Sequence, residues 1–218
     1  MTTTTTKPFA RATSLTGTRN IVAVFDLAAQ SELASGMDWY ERASTVAENL
    51  SHTYDINTAT AAGVIAALSP NNRWERNTVD AENVIRAYVD GSPDDAMQVK
   101  VCTYGKMQAK AIKILEADDL GSTYEIASIL NGRKITAFFW CIIGEHDAVC
   151  IDGHAYSIWF GDRLTMKEVP NIGKKLYNAI TTDYVDATQF INERDGGGLM
   201  PFQVQAITWC VWRRLHRV

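Results

Sequence analysis

The sequence predicts an all-α protein in which helices are joined by short loops. Two observations lead to this prediction. Apolar residues recur every three or four positions through most of the chain, and clusters of turn-forming residues separate these segments. The composition, with 218 residues of which 46% are hydrophobic, suits a globular unit with its own core. No apolar run approaches about 18 residues, so the sequence predicts no membrane span.

The N-terminus and the cysteines indicate the class of protein. MTTTTTKPFARATS has no apolar segment of the kind that a secretory signal carries, so we expect a flexible tail over residues 1–17 and one structural unit over residues 18–218. The four cysteines are widely spaced among apolar neighbours, without a metal-binding pattern of Cys and His. We therefore expect reduced thiols, a cytoplasmic location, and no metal or other cofactor.

Helical spacing predicts four helices in the first half of the chain. They cover residues 38–50, 58–68, 76–90 and 106–117. The second helix stops at Ser69, because Pro70 disfavours helical geometry in the residue before it. The GSPDD segment that follows the third helix predicts a turn or a helix cap.

In the second half, Ser122 lies three residues before Glu125, the spacing of a capping box that begins a helix over 122–130. NGRK is a glycine turn, and the apolar run ITAFFWCII after it predicts a helix. AVCI has the composition of a short strand. Further helices are predicted over 173–180, 184–192 and 201–216, with GGG at 196–198 as a break.

Lys134 and Asp152 are the residues that most suggest chemistry. Lys134 opens the apolar helix after the glycine turn, and Asp152 follows 18 residues later. A cation at a helix N-terminus faces the positive end of the helix dipole, which is unfavourable, so its position requires another reason. Each residue also has an ordinary explanation, as a solvated lysine and as a helix-capping aspartate.

The pair and its neighbours resemble the signature of the helix-hairpin-helix DNA glycosylase superfamily, which includes endonuclease III and the 8-oxoguanine glycosylases. The matching residues are Gly132, Arg133, Lys134, Ile151, Asp152 and His154. The resemblance implies two helical lobes, a helix-hairpin-helix motif and a cleft between the lobes. One lobe would cover about residues 60–135, and the remaining N- and C-terminal helices would form the second. Leu130 stands where the family hairpin usually has its first glycine.

The resemblance also implies residues that contact DNA. Lys134 and Asp152 would be catalytic, and the residues in contact with DNA or filling the gap left by the base would be Asn71, Asn72, Arg73, Lys106, Met107, Gly132, Arg133 and His154. Asn71 would enter the space that a flipped base leaves, and Asn72 and Arg73 would contact the partner base that is left behind. Lys106 or Met107 would form a second wedge. Ordinary turn chemistry and an amphipathic helix explain the same segments without DNA.

A base pocket is implied by three residues, Phe138, Gln205 and Trp209. Gln205 and Trp209 are four positions apart, which places both on one side of the last helix. A base held between the two aromatic rings would present its edge to the Gln205 amide. Core packing is the alternative explanation for these rings.

The implied activity is that of a DNA glycosylase. A modified base would flip out of double-stranded DNA, Asp152 would stabilise the positive charge that develops on the sugar, and the neutral amine of Lys134 would attack C1′. The resulting Schiff base permits strand cleavage, which would add AP lyase activity. If Lys134 contacts only phosphate, water attacks and the enzyme has glycosylase activity alone.

Two substrates and a second class of function stay open. The base is either oxidised, as in DNA repair, or a bulky modified pyrimidine such as the glucosylated hydroxymethylcytosine of phage DNA, as in antiviral defence. The alternative class is a non-catalytic helical protein that binds DNA or another partner on the same scaffold. The net charge of −4 neither favours nor excludes DNA binding, because basic residues gather locally in NGRK, IGKK and WRRLHR. We expect a monomer that binds double-stranded DNA.

Overall fold

The computed structural model describes residues 14–117, 122–145 and 147–217. These residues form twelve α-helices and contain no strand, which confirms the all-α prediction. The helices are α1 (Ser14–Phe25), α2 (Gln30–Met37), α3 (Trp39–Tyr54), α4 (Thr58–Leu68), α5 (Trp74–Asp90), α6 (Pro93–Gln98), α7 (Gly105–Glu116), α8 (Thr123–Leu130), α9 (Arg133–Ile142), α10 (Gly153–Phe160), α11 (Lys174–Asp195) and α12 (Pro201–His216).

The tail predicted over residues 1–17 is wrong in its last four residues, because α1 begins at Ser14. Gly17 is buried where a Cβ would collide with the Trp159 indole and the Asp183 carboxylate, so only glycine fits this contact. Residues 1–13 lie outside the described residues. The sequence pattern also missed α2, where the Glu32 carboxylate accepts a hydrogen bond from the Ala29 N–H.

Local hydrogen bonds explain how two predicted segments fold. The Ser92 hydroxyl accepts a hydrogen bond from the Asp95 N–H, so GSPDD is a helix cap, the second of its two predicted forms, and begins the short helix α6. The hydroxyls of Thr181 and Thr182 donate to carbonyl oxygens four residues earlier. Their polar segment therefore does not interrupt the helix, and α11 runs as one helix of 22 residues where two were predicted.

The AVCI segment forms no strand in the described part of the chain, so this prediction is wrong. Tyr177 on α11 takes the place of a strand partner. Its hydroxyl donates to the Val149 carbonyl at 2.8 Å and accepts from the Ile151 N–H at 3.0 Å. A side chain thus satisfies backbone groups that a sheet would pair. These two hydrogen bonds also fix the segment that carries Cys150 and leads into Asp152.

Buried apolar side chains form two clusters. In the first, α4 is buried from residue 60 to residue 68, and α3, α5, α7, α8 and α9 pack around it. The second cluster joins α1, α10, α11 and α12. The clusters meet at α12, which contributes Ala206 to the first and Ile207 to the second. A Cβ on Gly36 would lie 2.5 Å from Ile207 Cα, so glycine is needed where α2 crosses α12.

Candidate functional site

A cavity of about 580 Å³ lies between α3, α5, α9, α12 and the start of α10. Eight of the residues predicted from the sequence line it: Asn72, Arg73, Lys134, Phe138, Asp152, His154, Gln205 and Trp209. Further lining residues include Trp39, Tyr40, Trp74, Asn77, Cys150 and Arg213. We call this space the aromatic cavity. The fold therefore gathers side chains from across the chain in one place.

Lys134 and Asp152 reach the aromatic cavity from two helix starts. Lys134 is the second residue of α9, with its side chain exposed. Asp152 is the N-cap of α10, and its Oδ1 accepts a hydrogen bond from the Ala155 N–H at 2.8 Å. The cap engages one carboxylate oxygen, and Oδ2 has no hydrogen-bond partner among the described residues. The amine and the carboxylate that are 18 positions apart in the sequence thus share one cavity.

The thiol of Cys150 interacts with both of these charges. Cys150 is 6% exposed, and its S–H donates to the Lys134 carbonyl oxygen at 3.7 Å. Burial raises the pKa of Cys150 to about 12, against a smaller lowering by the Lys134 cation and with a further rise from the Asp152 carboxylate. The thiol is therefore protonated at neutral pH and is a poor nucleophile.

Aromatic rings form much of the cavity wall, with Trp39 at their centre. The Trp39 ring centroid lies 4.8 Å from that of Tyr40, 5.1 Å from Trp74, 5.9 Å from Phe138 and 6.4 Å from Trp209. Tilted and edge-to-face pairs at these separations are stable aromatic contacts. A wall of this kind suits a flat, largely apolar ligand.

Gln205 is oriented by Tyr40. The Tyr40 hydroxyl donates to Gln205 Oε1 at 2.9 Å, and both side chains are buried. Burial raises the pKa of Tyr40 well above its usual value, so the hydroxyl keeps its proton and remains a donor. Because Oε1 accepts this hydrogen bond, the Nε2 amide group of Gln205 is the part that can donate to a ligand.

Two asparagine oxygens at the cavity, Asn72 Oδ1 and Asn77 Oδ1, have no hydrogen-bond partner among the described residues. Their amide nitrogens are engaged. Asn72 Nδ2 donates to Asp80 Oδ2 at 3.0 Å, and Asn77 Nδ2 donates to the Ile65 carbonyl oxygen at 3.0 Å. A buried acceptor without a donor is unfavourable. Both oxygens are themselves buried, so they can accept hydrogen bonds from a ligand only if their side chains move.

Asn71 and Lys106 lie outside the aromatic cavity, and both interact with Tyr104. Asn71 has a left-handed backbone, with φ of 56°, and its Nδ2 donates to the Tyr104 hydroxyl. Lys106 is exposed, with Nζ 5.8 Å from the centre of the Tyr104 ring. Met107 is only 9% exposed and packs in the first core cluster, so the wedge role predicted for it does not fit its burial. Tyr104, which the sequence analysis did not single out, is 54% exposed.

Gly132 and Arg133 lie at the turn between α8 and α9. Asn131 ends α8 in a left-handed conformation, with φ of 39°, and Gly132 is the N-cap of α9. Arg133 is exposed at the first position of α9. Lys110 on α7 donates from Nζ to the Leu130 carbonyl oxygen, which satisfies the end of α8. This turn sets where α9 begins, and hence where Lys134 lies.

The sequence analysis missed several cavity residues. The spacing of residues 38–50 indicates Trp39 as part of a helix face, and Trp74 precedes the predicted helix over 76–90. No spacing rule connects Trp39, Trp74 and Trp209, because they come from three helices that meet only in the folded chain. The sequence therefore carries no local signal that these rings form one wall.

Comparison with protein families identifies the group to which the chain belongs. The model of a family of unknown function, DUF7178, matches residues 4–216, so the chain is a member of that family. No curated protein and no solved structure matches the chain. Within the described residues, no helix combines the length and the apolar character needed to cross a membrane. The same residues contain no group of three or more His, Cys, Asp or Glu side chains arranged to hold a metal ion.

Proposed function

We propose that this family member is a DNA glycosylase, which accepts a flipped-out modified base in the aromatic cavity and cleaves the bond between base and sugar. One observation carries the proposal. Lys134 and Asp152, an amine and a carboxylate, line the same cavity as a cluster of aromatic rings and the Gln205 amide. Apolar walls with a few convergent polar groups are the usual form of a site for a planar ligand.

The chemistry follows from the two charged residues. Cleavage of the glycosidic bond develops positive charge on the sugar, and the Asp152 carboxylate stabilises that charge. The amine of Lys134 forms a bond to C1′, while the base leaves with the bonding electron pair and takes up the proton that the amine gives up. Cys150 does not compete as a nucleophile, because burial raises the pKa of its thiol. If Lys134 binds phosphate instead, a water molecule attacks C1′.

The cavity offers hydrogen bonds that suit the edge of a base. Gln205 Nε2 is a donor, and Asn72 Oδ1 and Asn77 Oδ1 become acceptors for the base if their side chains turn toward it. Asn72 and Arg73 line the aromatic cavity itself, which favours contacts with the flipped nucleotide over the predicted contacts with the base left behind. Asn71 and Lys106 lie outside the cavity and would fill the space that the base leaves.

The two core clusters support an architecture of two lobes. The helices around α4 would form one lobe, and α1, α10, α11 and α12 the other. The α8–α9 turn, with Asn131 and Gly132, would be the hairpin that contacts the DNA backbone. Lys134 would line the cleft from the first lobe and Asp152 from the second. The two residues would therefore come together only when both lobes have folded.

The size of the cavity favours a bulky substrate. A volume of about 580 Å³ lies within the range of pockets that hold whole organic ligands, and it leaves room for a substituent beyond a planar base. This supports a bulky modified pyrimidine over an oxidised base as the substrate.

The test is release of free base from duplexes that carry each candidate base. Lys134→Gln and Asp152→Asn should each lower the rate by about 10³-fold, because each removes a group required in the transition state. Asparagine is as good an N-cap as aspartate, so Asp152→Asn should fold normally. Lys113→Gln, at an exposed position of α7 outside the cavity, is the matched control and should release base at the wild-type rate. Borohydride should trap a covalent DNA adduct with the wild type but not with Lys134→Gln.

The possible results separate the mechanisms. Undiminished base release by both cavity variants contradicts the proposal. DNA binding without release of any base supports the non-catalytic alternative. Loss of release in both variants without a borohydride adduct supports attack by water and a glycosylase without lyase activity.

A further inference from the structure

A second cavity, of about 530 Å³, adjoins the aromatic cavity. The two cavities share the lining residues Trp39, Trp74, Glu75, Trp209 and Arg213. The second cavity is also lined by Ser35, Arg42, Cys210 and Arg214. The second cavity is therefore a neighbouring compartment with more polar walls, separated from the aromatic cavity by no more than these shared side chains.

The second cavity is positively charged. Arg42, Arg213 and Arg214 line it against a single carboxylate, that of Glu75. Arg214 is tied to the fold by an ion pair with Glu32, with 2.7 Å between Nε and Oε1, and by a hydrogen bond to the Leu27 carbonyl. A net positive lining indicates an anionic ligand.

The positions of Arg42 and Arg213 indicate where that anion would bind. Arg213 lies over the ring of Trp209, with Cζ 4.6 Å from the centroid, on the wall that both cavities share. Arg42 donates from Nη2 to the Ser35 carbonyl oxygen at 2.9 Å, which holds its guanidinium at the second cavity. A guanidinium carries five N–H donors, so one that already has a partner in the protein can still bind an oxyanion.

We propose that Arg42 and Arg213 bind a phosphodiester group of the nucleotide whose base enters the aromatic cavity. The inference rests on the proposed function only in taking the ligand of the aromatic cavity to be a DNA base. A base and its phosphates are joined through one sugar, so a base pocket needs an anion site beside it. Arginine binds phosphate bidentately, which fixes the position of the group as well as neutralising its charge. The Arg42–Arg213 site would thus orient the sugar toward Lys134 and Asp152.

The experiment measures binding rather than base release. A short fluorescein-labelled duplex with one central G·T mismatch is the probe, because a mismatched base leaves the stack at reduced cost. Fluorescence anisotropy over a range of salt concentrations compares the wild type with Arg42→Gln and Arg213→Gln. Each variant should bind about tenfold more weakly and should reduce the slope of log affinity against log salt by about one. Arg86→Gln, at an exposed position of α5 outside both cavities, is the control and should bind as the wild type does.

A second arm tests whether the arginines contact the phosphates of the mismatched nucleotide. The two phosphodiester groups that flank the mismatched thymidine are replaced by neutral methylphosphonates. The difference between the wild type and the two glutamine variants should then disappear. Arg42→Lys and Arg213→Lys should keep the salt dependence but bind less tightly with the normal duplex, because lysine lacks the forked geometry. Matching thermal unfolding midpoints show that all variants are folded.

Three results would overturn the inference. These are wild-type affinity in both glutamine variants, an effect of the variants that persists with methylphosphonates, and absence of duplex binding by the wild type. Failure of the proposed function has a different signature. If no duplex loses a base but the arginine and methylphosphonate effects are found, the phosphate site stands and the glycosylase proposal falls.

Discussion

Two carboxylates in this protein, Asp183 and Asp152, lie in contrasting surroundings. Asp183 on α11 is 1% exposed, and it accepts hydrogen bonds from the indole N–H of Trp159, in the second core cluster, and from the hydroxyl of Thr18. Asp152 is partly exposed at the aromatic cavity, where one oxygen caps α10 and the other has no partner among the described residues. Both oxygens of Asp183 thus accept hydrogen bonds from the protein, whereas at Asp152 one oxygen does so among the described residues.

Other polar groups at the aromatic cavity also lack partners among the residues that the structure describes. Around the aromatic cavity, Asn72 Oδ1 and Asn77 Oδ1 lack partners in the described part of the chain, and Tyr40 orients Gln205 so that its amide can donate. Buried polar groups that serve only the fold are normally satisfied within it. The contrast teaches that the Asp183 carboxylate is engaged by the fold, whereas Asp152 keeps one oxygen that the proposed ligand can use.

The largest expected effect is on stability, from Asp183→Ala. The variant leaves the Trp159 N–H without its acceptor in a buried position, so the free energy of unfolding should fall by about 2 to 3 kcal/mol. Urea denaturation measures the change, with Asp186→Ala at an exposed position of the same helix as the control. Base release by folded Asp183→Ala should equal that of the wild type. If Asp183→Ala loses no more stability than the control, the hydrogen bonds of Asp183 do not stabilise the fold and the contrast with Asp152 is wrong.

A smaller effect is expected from Tyr40→Phe, and it should appear in function. The variant removes the hydroxyl that orients Gln205 but keeps the ring that packs against Trp39. Affinity for substrate DNA should fall about three- to tenfold, as for the loss of one hydrogen bond. Titration of labelled substrate DNA measures this, with Tyr54→Phe at the other end of α3 as the control. If Tyr40→Phe and Tyr54→Phe bind substrate DNA with equal affinity, the Tyr40 hydroxyl is not needed to orient the Gln205 amide.

The smallest expected effect is a pH dependence at Asp183. Burial raises the pKa of Asp183, against smaller lowering by the hydrogen bonds from Trp159 and Thr18. The folded protein therefore holds this proton to higher pH than the unfolded chain does. By linkage, the contribution of the proton to stability is complete below the unfolded pKa of about 3.9 and is lost as pH rises through the folded pKa. Asp183→Asn does not titrate, so it should gain in stability relative to the wild type as pH rises through this window. Urea denaturation at several pH values checks this, and a difference that does not vary with pH would contradict it.

Local patterns predicted most helices because their causes are local. Ser122 caps α8 through the Glu125 N–H as predicted, and GGG at 196–198 follows the end of α11 at Asp195. The predictions failed where distant side chains replaced local partners, as where Tyr177 satisfies the backbone of the AVCI segment. They also failed at α1, where Gly17 packs against Trp159 and Asp183, far away in the sequence.

The same division between local causes and contacts of distant residues applies to the candidate site. The sequence by itself determined that Lys134 stands at a helix start, because the glycine turn and the apolar run after it are adjacent residues. A helix cap was only the ordinary explanation of Asp152, and the structure shows that α10 begins there. Only the tertiary structure decided that both line one cavity walled by Trp39, Trp74 and Trp209. The physical reason is that α3, α5 and α12 are brought together by burial of apolar faces around the whole core, which no short segment encodes.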